Sequence, residues 1–335
     1  MKNFTYYRPG TVEQAVGLLE QRFGNTELLA GGTDLLALQK NYVAQPARVI
    51  SLTAIKGFTA IEEVGMGPQH AFRIGAGATL SAIATHPGLR QNFPALTSAA
   101  ADVAGPQIRN MGTLGGSLCQ RNRCWYFRDE HVNCRLKSGN TCFALDGENQ
   151  YHAVFTQQHQ CVIASPSTLA PALIALGATA DIAGPNGRRT VEMANFYHAP
   201  ANNNDREHVL AANEIVTSVS IPTRGMANAH YEVRQRLATD WPLVQCAVAF
   251  AVNNGTAGNA RVVLSQVAPV PHVAEAAARA LNGQAVTAAT ATAAGRAATE
   301  GARPLNRNAY KVRLIEVAVK RAAMIAAGLE RYWEV

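Results

Sequence analysis

Glu27-Leu28-Leu29-Ala30-Gly31-Gly32-Thr33-Asp34-Leu35-Leu36-Ala37-Leu38 is a short apolar run, broken by two glycines and resumed as a helical pattern. Such a stretch reads as strand, tight loop and helix start. Without a Cβ, consecutive glycines let the backbone approach a large group closely, and the amides that follow can donate to phosphate oxygens. A plain turn explains the same residues when they stand alone. On the N-terminal side, Thr11-Val12-Glu13-Gln14 is a capping-box pattern that predicts a helix running to about Phe23. Before it, the stretch from Met1 reads as a first strand, and 47–52 reads as a third. The opening 55 residues are therefore β-α-β-α-β, a small α/β unit.

Two further small-residue loops follow, Gly75-Ala76-Gly77-Ala78-Thr79 and Thr113-Leu114-Gly115-Gly116-Ser117-Leu118, the second read as another strand-to-loop glycine pair. An extended dinucleotide lying across three loops explains them better than three separate turns. None matches the G-x-G-x-x-G nicotinamide fingerprint. Beyond them, helices are expected at 80–86, 94–104 and 169–176, a strand at 179–183 and a turn at Pro185-Asn186-Gly187. From about 226 the pattern becomes that of an antiparallel sheet, with strands at 231–236, 244–252 and 260–265. Asn253-Asn254-Gly255 marks a hairpin turn. An alanine-rich helical region ends in a long helix at about 309–331. The expected divisions are 1–55, 56–225 and 226–335.

Composition narrows the class. Of 335 residues, 48% are hydrophobic and 16% charged, as in a globular protein with a large core. No apolar run reaches the roughly 20 residues of a membrane-spanning helix. The N-terminus lacks the apolar segment of a secretory signal, so a soluble chain is expected, leaving the cytoplasm only with a signal-bearing partner. The net charge of +7 raises nucleic-acid binding, but the basic residues are scattered without interleaved aromatics. Those at Arg303, Arg307, Lys311, Arg313, Lys320 and Arg321 suit one solvated helix face or a docking surface. No nucleic-acid partner is expected.

Five of the six cysteines fall between 105 and 165, in a loop-rich stretch, and Cys124, Cys134, Cys142 and Cys161 are spaced C-x9-C-x7-C-x18-C. Gathered thiolates suit zinc or an iron–sulfur cluster, and the tight pairs of zinc ribbons are missing. Unpaired thiols and disulfides remain alternatives at this point. No histidine pairing has metal-site spacing, and His152 and His159 read as loop surface. No catalytic triad or carboxylate pair is apparent.

The motifs Leu29 through Asp34, Ile74-Gly75-Ala76-Gly77, 113–118 and Pro171-Ala172-Leu173-Ile174-Ala175-Leu176, in this order, resemble the FAD subunit of the xanthine dehydrogenase and aldehyde oxidoreductase family of molybdenum hydroxylases. The resemblance spans nearly the whole chain. Gln120-Arg121-Asn122-Arg123-Cys124-Trp125-Tyr126-Phe127 is similar to the subgroup whose flavin subunit carries a cysteine-rich insertion with a [4Fe-4S] cluster, bacterial aldehyde oxidoreductases among them. It implies an α+β protein: a two-subdomain FAD-binding fold of the vanillyl-alcohol-oxidase-like, CO dehydrogenase flavoprotein type, followed by a C-terminal α+β domain. It further implies that Leu29, Ala30, Gly31, Gly32, Thr33, Asp34 and Leu35 hold the FAD pyrophosphate from one side. Thr113, Gly115, Gly116 and Ser117 hold it from the other, and Gly75, Ala76 and Thr79 lie near the flavin. Cys124, Cys134, Cys142 and Cys161 would bind the cluster in a loop at about 119–161, with Cys119 spare. Trp125, Tyr126 and Phe127 would shield it or fill the core.

Two departures stand out. Ser165-Pro166-Ser167-Thr168 lacks the family's aspartate after Pro-Ser, and Glu232 replaces a lysine before Val233-Arg234. Arg234, with Arg236, Asp240 and Trp241, is the expected neighbour of the isoalloxazine. The implied partners are a molybdenum-cofactor large subunit, a [2Fe-2S] small subunit and an external electron acceptor. A stand-alone flavin oxidoreductase and a non-enzymatic metal-thiolate module are the competing readings.

Overall fold

The computed structural model describes residues 1–156, 160–236 and 239–334. Three sheets organise it. The first is parallel, with strands β1 (Thr5–Tyr7), β2 (Thr26–Leu29) and β3 (Arg48–Ser51) in the order β1-β3-β2. Helices Val12–Gly17 and Leu35–Lys40 make the crossovers. Thr11 caps the first of these by accepting from the Gln14 amide at 3.2 Å. That helix closes at Gly17 rather than continuing to Phe23. Glycine is a poor helix former, and Leu18 and Leu19 instead pack against the main core.

The second sheet is antiparallel. It contains β4 (Ile61–Val64), β5 (Ala71–Gly75), β6 (Thr179–Gly184), β7 (Gly187–Glu192) and β8 (Ile215–Pro222), in the order β4-β5-β8-β6-β7. Helix Leu169–Ala175 leads into β6 and sits in the main core with all seven residues buried, which is why its sequence is apolar all round. The segment 113–118, expected as strand-to-loop, is instead a helix, Leu114–Cys119. Thr113 caps it, its hydroxyl accepting from the Gly116 amide at 3.1 Å. That cap offsets the poor helix propensity of the glycine pair.

The third sheet is formed by β9 (Ala227–Arg234), β10 (Pro242–Asn253), β11 (Thr256–Ser265) and β12 (His272–Val273), in the order β12-β11-β10-β9. Asn254 and Gly255 join β10 to β11 with φ of 49° and 80°, the left-handed pair that a tight hairpin requires. Helix Tyr310–Ala326 covers this sheet and buries Ile315, Ala318, Val319, Ala322 and Ala323. Lys311, expected on a solvated face, is buried in this core. Its ammonium donates to the Tyr151 and Gln266 carbonyls at 2.9 and 2.8 Å. Burial pulls its pKa down to about 7.

Candidate functional site

The glycine loop after β2 opens onto a cavity of about 1160 Å³, including the solvent at its mouth. Leu29 through Leu35 line one side, and Thr113, Gly115, Gly116 and Ala76 another. Leu19, Phe23, Leu52 and Phe58 supply apolar walls. Gly31 packs on Met111: a Cβ there would overlap the Met111 carbonyl, so the two glycine-rich segments meet backbone to backbone. Among the described residues, the Gly32, Thr33 and Asp34 amides donate to no protein group. Unpaired amides beside an open cavity are the donors an anionic ligand needs. The opposite loop differs. The Leu114 and Gly115 amides donate to the Ala78 and Ala76 carbonyls at 2.9 and 2.8 Å, and the Ser117 amide to Thr113 at 2.8 Å. That side therefore offers shape and hydroxyls rather than amides. Gly116 has only the Thr113 hydroxyl near its missing Cβ, at 3.0 Å.

A second cavity of about 910 Å³ shares Thr33, Asp34, Thr113, Gly116 and Gln120 with the first. Ser117, Pro166, Thr168, Asp102, Asp240 and Trp241 complete its wall. The Ser117 and Ser167 hydroxyls stand 3.3 Å apart at this edge. Gly75 ends β5, and Thr79 pairs with Thr113 and caps helix Leu80–Thr85. These two residues support the loop from behind. Arg234 lies further back, hydrogen-bonded to Glu232 and the Asp102 carbonyl, and touches the second cavity through Asp102. Beside it His230 is fully buried, 3.6 Å from Asp102 and 3.8 Å from Glu232.

Asp34 ties the glycine loop to the segment that carries the cysteines. It accepts from the Arg121 amide at 2.9 Å and pairs with Arg128 at 2.6 Å and Arg123 at 3.2 Å. Arg123 then lies over the Trp241 ring at 4.4 Å. Burial draws its guanidinium pKa down to about 10, against the opposing pull of Asp34. A second tie is Glu207, which meets Arg121 at 2.9 Å and Asn122 at 2.8 Å. Burial pushes the Glu207 carboxyl up, but Arg121 and Asn122 outweigh it and hold it below the ordinary value. Sequence reasoning missed Glu207, which stands in no motif, and gave Asn122 no role beyond its place in the 120–127 resemblance; the two meet only through the fold.

Cys124, Cys134, Cys142 and Cys161 line one small pocket with Tyr126, Phe127, Leu136, His152 and Ile163. Cys119 lines the first cavity instead, and Cys246 is buried in the core under β10. The thiols sense one another. The hydrogen bond between the Cys142 and Cys161 thiols holds Cys142 below the ordinary thiol value and pushes Cys161 up. Burial raises Cys124 to about 12 and also raises Cys134. All six cysteines are free. Among the described residues, no group of three or more His, Cys, Asp or Glu side chains is placed to hold a metal ion. His152, expected at the loop surface, is only 4% exposed and sits 3.2 Å from the Cys124 sulfur. His159 lies outside the described residues. A third cavity joins the two regions, sharing Arg123 and Trp241 with the second cavity and Cys124 and His152 with the thiol pocket.

Residues 2–224 match the family described as the FAD binding domain in molybdopterin dehydrogenase, and 229–326 the CO dehydrogenase flavoprotein C-terminal domain. The aldehyde oxidoreductase FAD-binding subunit PaoB of Escherichia coli is 32% identical over 280 residues, covering 83% of this chain and 85% of that one. The carbon monoxide dehydrogenase medium chain of Hydrogenophaga pseudoflava is 29% identical over 324 residues, 95% of each chain. The solved carbon monoxide dehydrogenase from that organism superposes with a TM-score of 0.74 at 29% identity, covering 98% of both chains.

Proposed function

The chain belongs to the FAD-binding subunits of the molybdopterin dehydrogenase family of oxidoreductases, and from that premise we propose that it relays electrons in a complex that oxidises aldehydes. In this reading a molybdenum-cofactor large subunit binds the substrate and a [2Fe-2S] small subunit delivers the electrons. This chain passes them to an external acceptor. FAD supplies the redox chemistry, taking up electrons and releasing them one or two at a time.

The observation that carries the proposal is the set of unpaired amides at Gly32, Thr33 and Asp34, placed where two cavities meet. They would hold the pyrophosphate, with the adenosine half among Leu19, Phe23, Leu52 and Phe58 and the ring half beside Trp241. Residues 1–55 and 56–225 are then the two FAD subdomains, and 226–335 the C-terminal domain. The arginines around Asp34 cancel a carboxylate that would otherwise repel the phosphates. The aldehyde assignment is supported by the 32% identical relative, itself an aldehyde oxidoreductase subunit.

The thiol pocket extends the proposal. Four cysteines lining one small pocket among apolar side chains suit a [4Fe-4S] cluster, which spreads four thiolates over four irons rather than crowding them on one ion. Such a cluster carries single electrons. Iron and sulfide assays on anaerobically purified protein test this part. About four irons per chain are expected, lost in Cys124→Ser, Cys134→Ser, Cys142→Ser and Cys161→Ser and retained in Cys119→Ser. Zinc in place of iron, or iron that survives all four changes, would contradict it.

A further inference from the structure

We infer that His152 is a positioning residue that donates a hydrogen bond to the Cys124 sulfur and raises the reduction potential of a cluster bound there. The inference rests on the cluster reading above. His152 Nε2 lies 3.2 Å from Cys124 Sγ, within the range of an N–H···S bond. The imidazole is held from several sides. Its ring meets Trp125 edge-on at 5.7 Å and Tyr126 at 6.4 Å. Its backbone amide donates to Asn149 at 3.0 Å, and its carbonyl accepts from Asn308 at 3.2 Å. Lys311 fixes the preceding carbonyl, that of Tyr151, at 2.9 Å. The C-terminal region therefore sets where this ring sits in the thiol pocket.

The direction of the bond follows from the chemistry. A cluster-bound cysteine is a thiolate with no proton to give, so the ring nitrogen must be the donor. Nδ1 is buried and faces no acceptor among the described residues, which places the ring proton on Nε2. One-electron reduction adds one negative charge to the cluster and its thiolates, with no bond made or broken. A fixed N–H donor at that sulfur stabilises the added charge, so the reduced form gains more than the oxidised one.

The test is an EPR-monitored redox titration of the purified full chain, wild type beside His152→Leu and His152→Gln. The flavin potential serves as the internal reference. With iron retained, His152→Leu should shift the cluster's reduction equilibrium about tenfold towards the oxidised form, or about 59 mV lower for a single electron. His152→Gln keeps an N–H donor and should stay close to wild type, and neither change should move the flavin. Iron lost from His152→Leu but kept in His152→Gln also supports the inference. Equal cluster potentials in all three proteins, or iron lost from both variants, overturns it. A wild-type chain without iron would overturn the cluster reading itself, a separate outcome.

Discussion

Alanine at Gly31 would drive its Cβ into the Met111 carbonyl, whereas alanine at Gly116 would meet only the Thr113 hydroxyl. The two glycines look equivalent in the sequence, yet one joins two loops and the other leaves room at the cavity. Gly31→Ala should therefore destabilise the fold by about 3 kcal/mol, the upper end for overpacking, measured by denaturant unfolding. Gly116→Ala sits inside a helix, where alanine is favoured over glycine by about 0.5–1 kcal/mol. Its folding stability should hold or rise slightly while FAD affinity falls at least about tenfold, roughly 1.4 kcal/mol. Fluorescence titration of the apoprotein with FAD measures that loss. Affinity equal to wild type would remove Gly116 from the site.

At the scale of elements, Asp34 at the mouth of helix Leu35–Lys40 anchors the whole approach to Cys124. Asp34→Ala leaves Arg123 and Arg128 without their shared carboxylate. Loss of one partner from a largely buried pair costs about 3 kcal/mol. Hydrogen exchange should accelerate across 120–128 in that variant and remain unchanged in β9–β11. Lys311 governs the far end of the cysteine region. Its folded pKa, near 7, lies below the ordinary lysine value of 10.5, so the unfolded chain binds the extra proton between those limits. Stability should accordingly rise as pH increases from 7 towards 10 and fall on the way back. Lys311→Met should lose that slope, although unpairing the Tyr151 and Gln266 carbonyls lowers its stability overall. Unfolding midpoints measured across this pH range decide the matter.

Across the whole molecule, the parts legible in the sequence were those carried by local pattern. Paired glycines after an apolar run marked the β2 loop, and Asn254-Gly255 marked the β10–β11 turn because few other residues adopt its left-handed backbone. The apolar 169–176 stretch marked a helix, which the fold buries on every side. Contacts between distant segments were not legible. Asp34 is 94 residues from Arg128 and Asn122 is 85 from Glu207, and charge spacing along a chain does not record such meetings. Lys311 was misread for a related reason. Helical periodicity put it with its basic neighbours, but two buried carbonyls draw it inward. Every step proposed for this chain depends on FAD bound between its two glycine-rich loops. The most direct measurement is the absorption spectrum of the purified chain, with flavin released and quantified from the same sample. One FAD per chain is expected, with flavin bands over a broad iron–sulfur shoulder. Protein that folds, carries no flavin and takes none up from added FAD would contradict it.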